Sequence, residues 1–117
     1  MPLDIGTLNW VAKPVTREEA MRILKRDQFC CRYCGLDGRA SFENALVMGV
    51  DFVLPRARKG SKSEANLVAC CRPCNALKGR RVFENFDEAK LYVLKRREEL
   101  RKGWESAPPE SRVSATA

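Results

Sequence analysis

The chain has 117 residues, with 22 Lys and Arg against 15 Asp and Glu, a formal net charge of +7 and no histidine. This length allows one domain with a modest core, and no stretch approaches the ~20 apolar residues of a membrane span, which excludes a transmembrane role. The N-terminus shows neither a basic n-region nor an apolar h-region, so we expect a cytoplasmic protein with reduced cysteines.

The first part of the chain divides into an arm and a helix. Residues 1–15 lack strong periodicity and are expected to form an N-terminal arm. Thr16 and Glu19 have the spacing of a capping box, and apolar residues follow them at helical spacing. The pattern predicts a helix from Thr16 to about Asp27, which leads directly into the first cysteine pair.

Two Cys-x-x-Cys pairs are the strongest signal in the chain. A closed structural zinc site needs four thiolates in a tetrahedron, and two such pairs supply them with little strain. The predicted ligands are Cys31, Cys34, Cys71 and Cys74. Disulfides and free core thiols are the alternatives, but a reducing compartment and this spacing favour a metal. Cys30 and Cys70, beside the pairs, are interpreted as buried small apolar residues, with either able to act as an alternate ligand.

Between the cysteine pairs the sequence predicts two strands. Residues 45–54 are rich in Val, Leu and Met and predict a strand interrupted at Gly49. A basic loop follows to residue 65, and residues 66–70 predict a second short strand. The second cysteine pair then opens a short helix, which Gly79 is expected to end. We therefore place a zinc-bound core at residues 16–84.

The last part of the chain predicts one long helix. Asn85 or Asp87 can cap it, and an apolar stripe runs through it at helical spacing. The stripe consists of Phe86, Ala89, Val93, Leu100 and Trp104. We expect a C-terminal helix over residues 85–105 that packs on the core, followed by a disordered tail at 106–117.

The positive charge is clustered in two places, the loop after residue 55 and the segment after the second cysteine pair. Such clusters attract phosphate backbones and release counterions on binding, which favours nucleic acid as a partner. An ordinary solvated basic surface is the alternative. The candidate DNA-binding residues are Arg56, Arg58, Lys59, Lys78, Arg80 and Arg81.

Four short motifs follow one another between residues 31 and 79. They are Cys-x-x-Cys-Gly from Cys31, Val-Asp-x-Val-Leu-Pro-Arg from Val50, Asn-Leu-Val from Asn66 and Cys-x-x-Cys-Asn-x-x-Lys-Gly from Cys71. In order and spacing the segment resembles the zinc-containing HNH endonucleases. The resemblance implies a small α+β fold, a zinc-stapled ββα-metal core, and DNA as the partner. It does not extend to the arm or the C-terminal helix.

The resemblance also implies roles for three polar residues. Asp51 and Asn75 match the positions that hold a divalent catalytic metal, and Asn66 matches the residue that braces the loop between the strands. Carboxylate and amide oxygens are hard ligands suited to Mg²⁺ or Mn²⁺ at a scissile phosphate. Each residue also has an ordinary structural interpretation: a strand end for Asp51, an Asx-turn for Asn66 and a helix cap for Asn75.

One position departs from the family pattern. The general-base histidine of the family follows the metal-binding aspartate, and this chain has Phe52 there. A phenyl ring cannot accept a proton from water, and the chain has no other histidine. We therefore expect a DNA-binding protein of the HNH type whose phosphodiester cleavage is impaired. Two alternatives remain open, namely an active metal-dependent DNA endonuclease and a zinc-ribbon-like interaction module that binds no nucleic acid.

Overall fold

The computed structural model describes residues 15–54 and 64–112. Within those ranges it contains α1 (Arg17–Arg26), α2 (Phe42–Leu46), β1 (Met48–Phe52), β2 (Leu67–Cys71), α3 (Arg72–Lys78) and α4 (Phe86–Ser106). Short 3-10 turns lie at Glu64–Asn66 and Pro109–Ser111. No helix in the described part combines the length and the apolar character that a membrane crossing requires. Most of the predicted arm and the end of the predicted tail lie outside the described residues.

The two strands form an antiparallel pair at the centre of the core. Met48 lies opposite Cys71, and Phe52 lies opposite Leu67. Every residue of both strands is buried, and α1 and α3 each pack against both strands. This mixed helix-and-strand arrangement confirms the predicted small α+β fold.

Helix α1 begins with the predicted capping box. The Thr16 hydroxyl accepts from the Glu19 amide at 3.1 Å, and the Glu19 carboxylate accepts from the Thr16 amide at 2.8 Å. Asp27 caps the C-terminal end, as the sequence predicted to within a residue. The apolar side chains that α1 buries are Ala20, Ile23 and Leu24.

The first strand is shorter than predicted. Residues 45 and 46 belong to α2, because the Ser41 hydroxyl accepts from the Asn44 amide at 3.0 Å and starts a helical turn there. At the other end, the Val53 amide still donates to the backbone carbonyl of Asn66 opposite it, but the Leu54 amide donates to the Asn66 side chain, and the ladder ends there. The predicted interruption at Gly49 is wrong, since Gly49 pairs with Cys70 inside the strand.

Helix α4 begins where the sequence predicted, with the Asn85 side chain accepting from the Glu88 amide at 2.9 Å. Its first turns bury Ala89 and Val93 against the core, and it packs on α3. The predicted apolar stripe does not stay buried along the helix, because Trp104 is 42% exposed. Helix α3 has only 7 residues against 21 in α4, so it covers only part of the longer helix.

Candidate metal centre and candidate active site

The four predicted cysteines come together in one cluster, at Cys31, Cys34, Cys71 and Cys74. Their sulfur atoms all lie within 4.8 Å of one another, and the sulfurs of Cys34 and Cys71 are 3.7 Å apart. A tetrahedral zinc ion with Zn–S bonds of about 2.3 Å separates its sulfurs by about 3.8 Å. The cluster therefore has the ligand type, number and spacing to hold a zinc ion.

Two backbone features position the thiols. After the first pair, Gly35 adopts a φ of 83° and donates its amide to the carbonyl of Cys31 at 2.9 Å, which closes a tight turn. The second pair lies where β2 passes into α3, so Cys71 is both the last strand residue and the helix cap, and Cys74 is on the first turn. The metal centre thus joins the segment after α1 to the strand–helix junction.

The neighbouring cysteines are not members of the cluster. Cys70 is fully buried in β2, and its thiol donates to the carbonyl of Cys71 at 3.2 Å. Burial raises the pKa of Cys70 well above its usual range, which keeps it a thiol. Cys30 is half-buried and forms a backbone bridge with Asp37. The interpretation of Cys70 as a small buried residue agrees with this geometry, and Cys30 is less buried than expected.

Arg97 of α4 lies beside the thiol cluster, a contact that sequence reasoning missed. Its guanidinium donates to the Cys74 sulfur at 3.6 Å. Partial burial lowers the pKa of Arg97, but the negative charge of Cys34 and Cys74 outweighs this and raises the pKa overall. With zinc bound, a cation at this position would offset the net negative charge of the four thiolates. The signal in the sequence was weak, since Arg97 is one of several basic residues on α4.

Asp51 of β1 is the centre of a second cluster, to which α3 also contributes. The Tyr33 hydroxyl donates to Asp51 Oδ2 at 2.8 Å, and the Asn75 amide donates to Oδ1 at 3.0 Å. The Lys78 ammonium lies 3.1 Å from Oδ2. Burial raises the pKa of Asp51, while the Lys78 ammonium and the Tyr33 hydroxyl oppose that rise. The structure thus brings Asp51 and Asn75 together and adds two partners, Tyr33 and Lys78, that the sequence did not assign to the site.

Asn66 closes the base of the loop between the strands. Its side-chain oxygen accepts from the Leu54 amide at 2.8 Å, and its side-chain nitrogen donates to the Leu54 carbonyl at 3.0 Å. The Asn66 carbonyl also accepts from the Val53 amide at 2.9 Å. These three bonds fix where the chain leaves β1 and where it returns to β2.

Phe52 is buried at the end of β1, with a relative exposure of 6%. Successive side chains of a strand point to opposite faces, so the ring of Phe52 faces away from the carboxylate of Asp51. The carbonyl of Phe52 points into the site, where it accepts from the Lys78 ammonium at 2.9 Å. Residue 52 therefore contributes a backbone oxygen and an apolar ring, and no proton acceptor on its side chain.

The candidate DNA-binding residues divide into three groups. Arg80 and Arg81 are exposed directly after α3. Lys78 is only 2% exposed and points into the Asp51 cluster, so in this arrangement it is not a surface phosphate contact. The loop residues Arg56, Arg58 and Lys59 lie outside the described residues.

Comparison with known protein families finds a similarity in the middle of the chain. Residues 31–81 match the family model described as HNH endonuclease, a little under half of the chain. No curated protein and no solved structure matches the chain significantly. The matched segment contains the four-cysteine cluster, both strands, α3 and the Asp51 cluster. Residues 31–81 of this chain are thus similar to the HNH endonuclease family.

Proposed function

We propose that the protein is a DNA-binding HNH-type domain in which phosphodiester cleavage is impaired. The observation that carries the proposal is Phe52, which stands beside Asp51 in a segment that matches the endonuclease family. General-base catalysis contributes typically 10²–10⁴-fold to rate, so a side chain without a proton acceptor at this position removes a large part of it. Binding of DNA phosphates by basic side chains does not need that base.

DNA binding is supported by charge and by where the basic residues attach to the site. The net charge is +7. Arg80 and Arg81 extend from the end of α3, the helix that carries Asn75, and the Arg81 guanidinium stacks over the Tyr92 ring at 4.8 Å. The loop that holds the other basic residues starts at Leu54, which Asn66 anchors within a few residues of Asp51. Both basic segments therefore leave the core next to the candidate site.

Binding is tested by fluorescence anisotropy with a labelled duplex at several salt concentrations. If the side chains contact phosphate, Arg80→Gln with Arg81→Gln weakens binding by about tenfold, equally for unrelated sequences, and lowers the salt slope by about 2. The matched control is Arg101→Gln with Lys102→Gln, which removes the same charge from exposed positions far along α4. Absence of binding by the unmodified protein at low salt would favour the interaction-module alternative.

Cleavage is tested separately by nicking of supercoiled plasmid with Mg²⁺ or Mn²⁺. We expect binding without detectable nicking by the unmodified protein. Efficient nicking that disappears in Asp51→Asn would instead establish the active endonuclease alternative. Nicking that survives Asp51→Asn would indicate a contaminating nuclease.

A further inference from the structure

Lys78 is a buried cation within a site where the family implies a divalent metal. It is the last residue of α3 and has a relative exposure of 2%. Lysine is almost never fully buried without a partner, because removing its charge from water is costly. The partners of Lys78 therefore identify what the buried charge does.

The ammonium of Lys78 contacts three oxygen atoms. It lies 3.1 Å from Asp51 Oδ2, 3.4 Å from Asp51 Oδ1 and 2.9 Å from the carbonyl oxygen of Phe52. A carboxylate and a backbone carbonyl are hard oxygen donors of the kind that a divalent cation would use. Lys78 thus fills, with a single positive charge, the oxygen-lined position beside Asp51.

Asp51 has no remaining capacity for a metal in this arrangement. Oδ2 accepts from Tyr33 and contacts Lys78, while Oδ1 accepts from Asn75 and contacts Lys78. A carboxylate offers about four lone-pair sites, and these four contacts use them. Asn75 also presents its amide nitrogen, a donor, towards Asp51 rather than its oxygen. The implied Mg²⁺ or Mn²⁺ does not fit the residues as they are arranged here.

Electrostatics leads to the same conclusion. Mg²⁺ binds oxygen ligands at about 2.0–2.1 Å, so an ion on either Asp51 oxygen would lie within about 5.5 Å of the Lys78 ammonium. Two cations cannot share one carboxylate at such a distance without strong repulsion, and burial weakens the screening that would reduce it. A divalent ion could reach Asp51 only if Lys78 left the site and its charge moved to solvent.

We propose that the Lys78 ammonium is the resident cation of the Asp51 site and that it excludes divalent metal from that site. The inference concerns the free protein, so it holds or fails independently of DNA binding. Lys78 and Asp51 then form an internal ion pair where a divalent metal would otherwise bind. Tyr33 and Asn75 then serve to orient the carboxylate towards the lysine.

The test is Mn²⁺ binding to the zinc-loaded protein, measured by the loss of the free Mn²⁺ signal in electron paramagnetic resonance. The unmodified protein and Asp51→Asn should leave the same Mn²⁺ free at millimolar concentration. Lys78→Met should gain one Mn²⁺ site that binds at least about tenfold more tightly than any site of the unmodified protein. The reason is that an oxygen cluster without its cation favours a hard metal. That site should disappear in Lys78→Met with Asp51→Asn. Arg80→Met, which removes an exposed charge nearby, is the matched control and should gain no site.

One result decides the question even if Lys78→Met does not fold. A single Mn²⁺ bound by the unmodified protein and lost in Asp51→Asn would overturn the proposal, because metal would then bind with Lys78 present. Equal and weak binding by those two proteins supports it. If Lys78→Met folds but gains no Asp51-dependent site, the exclusion by Lys78 is refuted as well. Where Lys78→Met is only marginally stable, Mn²⁺ should raise its unfolding temperature and leave that of the unmodified protein unchanged.

Discussion

At the scale of single residues, Tyr33 combines a buried aromatic ring with a hydrogen bond from its hydroxyl to Asp51. Its ring is buried and lies 5.1 Å from the Phe86 ring, centroid to centroid, while its hydroxyl reaches Asp51. We expect Tyr33→Phe to lower the free energy of unfolding by about 1.5–3 kcal/mol, the range for a hydrogen bond to a charged group. Urea denaturation measures the change. Tyr92→Phe, in a half-buried residue of α4, is the control and should cost less.

The same hydroxyl should make the stability of the fold decrease at high pH. Burial, together with the negative charge of Asp51, raises the pKa of Tyr33 well above its ordinary value of about 10. A raised pKa in the folded state gives stability that is complete below the unfolded value and is lost as pH rises above it. Between pH 10 and the folded pKa, Tyr33→Phe should therefore make the fall of stability shallower by up to about 1.4 kcal/mol per pH unit. An unchanged slope would contradict a buried neutral Tyr33.

The surroundings of Asp51 show which parts of the site the sequence could predict and which it could not. The motif order predicted that Asp51 and Asn75 belong to one site, and the structure brings them to 3.0 Å. It could not predict Lys78 inside that site, because a lysine at the end of a helix is ordinarily exposed and its burial depends on how α3 lies on β1. The direction of a side chain follows from packing between elements, which residue spacing does not contain.

At the scale of elements, the helix ends that depend on neighbouring residues were predicted well, whereas the strand end that depends on a distant residue was not. The capping box of α1 and the helix end at Gly79, with a φ of 61°, are encoded within a few residues. The end of β1 depends on Asn66, which lies 12 positions further along the chain than Leu54. Hydrophobic pattern extended the strand to residue 54, since it does not register a competing side-chain hydrogen bond from a distant residue.

Helix α4 lies entirely outside the matched segment, yet Arg97 connects it to the candidate metal centre. We expect Arg97→Gln to accelerate zinc release by about tenfold, because groups that contact metal ligands typically change metal affinity by 10–100-fold. Release to the chromogenic chelator pyridylazoresorcinol provides the rate. Arg97→Lys should restore most of the slow release, as it keeps the charge.

Arg101→Gln is the control for this prediction, since Arg101 is exposed on the same helix and pairs only loosely with Glu98 at 3.9 Å. It should leave the release rate unchanged. Equal rates for Arg97→Gln and the unmodified protein would show that the contact with Cys74 contributes nothing to zinc retention. A loss of helix content in Arg97→Gln, seen by circular dichroism, would assign the effect to packing of α4 instead.

At the scale of the whole molecule, the cysteine cluster links two parts of the chain that lie far apart in sequence. It joins the turn after α1 to the start of α3, 37 positions apart between Cys34 and Cys71. The described core is modest, and a small domain buries a smaller fraction of its surface than a large one. We therefore expect metal binding to contribute a large share of the free energy of folding, as it does in other small zinc domains.

The purified protein should accordingly contain about one zinc per chain and unfold when a chelator removes it, as measured by metal analysis and circular dichroism. Cys34→Ser with Cys74→Ser should abolish zinc binding and the folded signal together. Cys30→Ser is the matched control, because it removes a thiol that lies next to a ligand in sequence but outside the cluster. Full zinc content in the double variant would reassign the ligands to Cys30 or Cys70. A fold that persists without metal would show that the sheet, α1 and α3 are sufficient for folding, and that the thiolates serve a purpose other than stability.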